Sequence, residues 1–118
     1  MKKINILGAT YKVFKGVSSH SDPDLDDRFG YCNFIERKIV IADIKTVPSW
    51  CNESDSVIKA QENETLRHEV LHAFLSESGL RGSSCDVRGW AMNEEMVDWF
   101  ALQYPKIKKV YEKLECEV

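Results

Sequence analysis

At 118 residues and 43% hydrophobic, the chain has the size of one domain, residues 1–118, with enough apolar side chains for a modest core. Its formal net charge of −3 leaves no basic surplus for a nucleic-acid partner. The apolar run in "MKKINILGATYKVFKG" is broken at Asn5, Gly8 and Thr10, which fits neither a signal-peptide core nor a membrane span, so a cytoplasmic protein with no membrane partner is expected.

In chain order, "KINIL" and "TYKVF" alternate apolar and polar residues as half-buried strands do, and Gly8 between them suits a turn or bulge. "SSHSDPDLDDRFG" is a loop. Asp22, Asp24 and Asp26 alternate within it as calcium ligands can, but Asp27 and Asn33 stand where an EF-hand needs glycine and glutamate, so the acids read as solvated. "GYCNF" and "RKIVIA" form two strands joined around Glu36, an antiparallel hairpin. The first half is therefore expected to be a small twisted antiparallel sheet.

Beyond "KTVPSWCNESDS" a short helix starts near Ser54 or Asp55, and Asn63 is placed to cap a second helix that Gly79 ends. After the loop "LRGSSCDVRG", "WAMNEEMVDWFALQY" is a further helix stopped by Pro105. "PKIKKVYEKLE" then places Ile107, Val110, Tyr111 and Leu114 on one stripe of a C-terminal helix. Strands first and helices after give an α+β layout. Cys32, Cys51, Cys85 and Cys116 form no CxxC pair and are expected as free thiols.

The chemistry concentrates in "TLRHEVLHAFL", residues 65–75. His68 and His72 lie one helical turn apart, so their imidazoles share a face and can aim at one zinc ion. Glu69, one step round, reaches the open coordination position and can take a proton from a water that the metal has acidified. As plain helix residues, two histidines and a glutamate set among Leu66, Val70, Leu71, Ala73, Phe74 and Leu75 would need other partners. A catalytic zinc takes a third protein ligand, for which Glu94 and Glu95 on the following helix are the candidates. Glu94 shares a face with Asp98, which is then placed to accept a hydrogen bond from the far nitrogen of a ligand histidine; Glu95 remains the alternative.

"HEVLH" followed by "NEEMVDWFA" resembles the gluzincin metallopeptidases, in which a glutamate on a later helix completes HExxH and an aspartate four residues on supports a histidine. "NEEMVD" is similar to the thermolysin-type NExxSD segment, with Val97 in place of the small residue. The layout over residues 60–104 is closer to the small ImmA/IrrE-like phage and mobile-element metallopeptidases, with their "TLxHExxHA" and "ExxxDxFA" helices. The sequence departs from many of those in having no "LMP"-like segment after its "FA" pair and no helix-turn-helix module. The resemblance implies a minimal zincin-like fold, zinc held by His68, His72 and Glu94, Glu69 as base and Asp98 in support. It also implies a protein or peptide substrate, with a regulatory protein as candidate.

By the same resemblance an extended substrate would add to a free strand edge, for which "RKIVIA" is the candidate, with Ile39 and Ile41 toward the helices and Arg37, Lys38 and Val40 outward; an ordinary core strand is the equal alternative. Charge developing on the attacked carbonyl needs a donor, and His20, Tyr31, Arg88 and Tyr104 are all candidates. The rival reading is a non-catalytic zinc-scaffold binding protein of phage or mobile-element origin, against which the intact Glu69 argues.

Overall fold

The computed structural model describes residues 1–83 and 94–118, with the side chains of Ser83, Glu94, Val97, Asp98 and Ala101 outside that description. β1 (Lys2–Ile6) and β2 (Ala9–Val17) form an antiparallel hairpin across Leu7 and Gly8. Both turn residues have positive φ, 51° and 93°, as the tight primed turns of twisted hairpins require, and Asn5 Oδ1 accepts the Gly8 N–H at 2.9 Å. β3 (Gly30–Asn33) and β4 (Lys38–Ala42) form the expected second hairpin, whose turn Asn33 Oδ1 holds by accepting the N–H groups of Ile35 and Glu36.

The two hairpins join in an order that corrects the expected sheet. The order is β1-β2-β4-β3, and β2 runs parallel to β4, so the sheet is mixed and not wholly antiparallel. Residues 18–29 carry the chain past the position of β4, and β4 then returns between β2 and β3. This places "KIVIA" inside the sheet, so it is not a free edge; the edges are β1 and β3. Val40 does not face outward to solvent either. Ile39 and Ile41 pack toward the helices as expected, while Val40 and Ala42 are buried on the opposite face with Leu25, Tyr31 and Val47. An almost unbroken apolar run is what a strand covered on both faces needs.

A short 3-10 turn (Ile44–Thr46) leads to α1 (Asp55–Glu77), capped at Ser54, whose Oγ accepts from Val57 N. The sequence suggested two helices here; one continuous helix forms, because nothing between Asp55 and Glu77 is Gly or Pro. Asn63 is therefore no cap. It lies buried in mid-helix, and its Nδ2 donates to the carbonyl of Val118. Gly79, with φ of 87°, follows the C-cap Ser78 as expected, and α2 (Leu80–Ser83) is a single turn beyond it.

α3 (Glu94–Leu114) runs through Pro105, which corrects the expected division into two helices. Proline removes one helical hydrogen bond, but Trp99, Ile107, Val110 and Leu114 keep one buried stripe on both sides of it. That stripe packs with α1 and the strands around Leu66, Val70, Ala73 and Phe74. The tail is fixed to α1: Arg67 Nη1 donates to Cys116 O at 2.7 Å, and Tyr111 Oη donates to Arg67 O at 3.0 Å. The whole is mixed α+β, one sheet with two long helices on one face and residues 18–29 on the other. Cys32, Cys51 and Cys116 are free thiols, and Cys85 lies outside the described residues.

Candidate active site

α1 buries Leu66, Val70, Ala73 and Phe74 along one side, at the spacing of a helix stripe. The side turned toward β3 carries His68, Glu69 and His72. The two histidines are exposed and Glu69 is buried, at 7% exposure. The Nε2 atoms of His68 and His72 stand 3.0 Å apart, and their rings are set nearly edge to face, with centroids at 4.6 Å. Two nitrogens bound to one tetrahedral zinc at about 2.0 to 2.1 Å would stand roughly 3.3 Å apart. The pair therefore fits a shared metal with a small adjustment of either ring. Desolvation, followed by the positive fields of His68 and Arg81, holds His72 below its ordinary pKa, which favours the neutral imidazole that binds metal.

Burial pushes the Glu69 carboxyl above its ordinary pKa, against the opposing pull of His68 and Arg28. That burial depends on how closely β3 lies against α1. A Cβ on Gly30 would meet Val40 O at 2.8 Å, Thr65 Cγ2 at 2.9 Å and Ile41 Cδ1 at 3.0 Å, closer than side chains can approach. Only glycine lets the strand come so near the helix at this point.

A cleft of about 320 Å³ opens between the two elements, lined by Arg28, Gly30, Tyr31, Cys32 and Phe34 on one side and His68, Glu69 and His72 on the other. The outer edge of β3 carries no strand among the described residues. Burial first, and then the negative charge of Glu69, raises the Cys32 thiol to about 12, so it stays protonated and uncharged here.

The candidate donors fare unequally. Tyr31 lines the cleft, but its hydroxyl donates to Asp22 Oδ2 at 2.8 Å, and burial with that bond raises its pKa to about 12. His20 sits exposed in the loop, and Tyr104 is 57% exposed on α3; neither lines the cleft. Arg88 lies outside the described residues. Arg28 is the cation lining the cleft that sequence reasoning missed: amid four aspartates it reads as a charge-balancing loop residue, and only its place two residues before β3 marks it.

Glu94 and Asp98 belong to the first turns of α3, but both side chains lie outside the described residues, and Glu95 is exposed. Among the described residues no group of three or more His, Cys, Asp or Glu could hold a metal ion. What the structure brings together is thus His68, Glu69 and His72, on one cleft with Arg28. Compared with family models, curated proteins and solved structures, the chain matches none.

Proposed function

We propose that the chain is a zinc-dependent metallopeptidase of minimal zincin-like build, hydrolysing a peptide bond with an activated water. The observation that carries this reading is the 3.0 Å approach of the His68 and His72 Nε2 atoms beside the buried Glu69, opening on a cleft at a strand edge. His68, His72 and, by the sequence resemblance, Glu94 would hold the metal, with Asp98 supporting a ligand histidine. Zinc, when bound, supplies Lewis acidity that lowers the pKa of a water.

The remaining steps belong to the chain. Glu69 takes the water's proton and delivers it to the leaving amine nitrogen, a task that suits a carboxyl whose pKa burial has raised toward the working range. An extended peptide adds to the outer edge of β3, the strand that walls the cleft, so its carbonyl lies beside Glu69. Arg28, on the same wall, adds positive charge to the cleft. The sequence resemblance adds a phage or mobile-element setting and a regulatory protein as candidate substrate, and the sequence adds a cytoplasmic location.

Zinc-loaded wild type and Glu69→Gln, each incubated with an unfolded protein such as casein and with a random peptide library, test the reading by mass spectrometry of the fragments. The expected result is cleavage by the wild type and none by Glu69→Gln, with equal zinc in both. Equal cleavage by the two would sink the mechanism. Zinc without cleavage by either would favour the rival scaffold that only binds a partner.

A further inference from the structure

Arg28 lines the cleft and Arg81 lines hollows beside it, and neither has a carboxylate partner among the described residues. Arg28 is held from behind: its Nε donates to Leu25 O at 3.2 Å and its Nη2 to Asp24 O. Nη1 is left for a ligand. Arg81, on α2, stacks over the Phe34 ring with its guanidinium carbon 4.1 Å from the centroid, an arrangement that leaves the in-plane N–H groups free. By contrast, Arg37 is committed to Glu77 at 3.0 Å.

The two cations border the site through adjoining hollows. Arg28 lines the cleft with Glu69, and Arg81 lines a smaller hollow with His72. Both line a third hollow of about 500 Å³ beside the β3–β4 turn, which Asp24 also borders without an ion pair to either arginine. In a chain of net charge −3, two pre-oriented arginines facing one open groove form a local cationic clamp.

We propose that Arg28 and Arg81 form a carboxylate-binding subsite that selects peptides bearing an acidic group next to the segment laid along β3. The word substrate here rests on the metallopeptidase reading; the binding itself does not. A peptide carboxylate has two sources, an Asp or Glu side chain or the peptide's own C-terminus, and both offer the paired acceptor oxygens to which a guanidinium donates best.

The test uses zinc-supplemented Glu69→Gln protein immobilised and exposed to two random decapeptide libraries, one with free and one with amidated C-termini, with bound peptides sequenced by mass spectrometry. The clamp predicts at least about tenfold enrichment, the yield of one charge-assisted hydrogen bond. Enrichment of Asp and Glu over Asn and Gln in the amidated library assigns the side chain as the source; enrichment confined to free-acid peptides assigns the terminus. Added Arg81→Gln or Arg28→Gln should abolish it. Arg81 is exposed and stacks on Phe34, so Arg81→Gln, with its melting curve matched to the wild type, decides the matter even if Arg28→Gln, which loses two loop bonds, fails to fold. No enrichment in either library, or enrichment that survives Arg81→Gln undiminished, overturns the clamp. Cleavage of the same libraries by the wild type is read in parallel: enrichment without cleavage retires the peptidase reading and leaves the clamp, whereas cleavage without carboxylate preference retires the clamp alone.

Discussion

The two sides of α1 answer to different demands. Under the sheet, Leu66, Val70, Ala73 and Phe74 are buried, and each full burial of a large apolar side chain stabilises the fold by about 1.5–3 kcal/mol. One step round the same helix, His68 and His72 stay open to the cleft, and Glu69, only 7% exposed, lines it with them. The first side builds stability and the second gives some of it up. A helix that served only as scaffold would have no reason to bury an acid there.

Substitutions on the two sides should therefore separate. Phe74→Ala is expected to cost about 3–5 kcal/mol in chemical denaturation, while His72→Ala, on the exposed side, should shift the stability of the metal-free protein by less than about 0.5 kcal/mol. Equal losses would break the comparison. Gly30→Ala, which forces β3 from α1, should cost about 1–3 kcal/mol and open the wall that buries Glu69.

Glu69→Gln should act in the opposite direction and raise the melting temperature of the metal-free protein at neutral pH. With its folded pKa raised, the ionised carboxylate costs stability as pH climbs from the unfolded value, about 4.3, through the folded one, so the gain should vanish in acid. A gain that persists in acid would assign it to packing instead of charge.

The smallest effect is expected at the far end of α1. There desolvation would raise the Glu77 carboxyl, but hydrogen bonds from Arg37 and from the Tyr11 hydroxyl outweigh it and hold the pKa low. Its contribution is present above the unfolded pKa and lost as pH falls through the folded one. Denaturation of wild type and Glu77→Gln should accordingly differ near neutrality and converge in acid.

The sequence carried the site further than the sheet. A four-residue spacing is a statement about one helix, so His68 and His72 could be placed on a common face without knowing anything else in the fold. The β1–β2 turn at Gly8 and the β3–β4 hairpin were legible for the same local reason. The place of β4 was not, because strand order depends on how residues 18–29 route the chain, and the apolar run in "RKIVIA" suits a core strand without saying which strands flank it. Pro105 was read as a stop because local propensity forbids it in mid-helix; the packing of Ile107, Val110 and Leu114 on the core overrides that preference. Arg28 escaped notice because its role comes from a loop folding back on a strand, which no spacing records.

The measurement that bears most directly on the metal centre is zinc content by mass spectrometry, on protein purified without an affinity tag, for wild type, His72→Ala and Glu94→Ala. The account predicts close to one zinc per chain in the wild type and loss of it in both variants. A wild type that binds no metal even when zinc is offered would contradict it and leave His68, Glu69 and His72 as the residues of an ordinary helix.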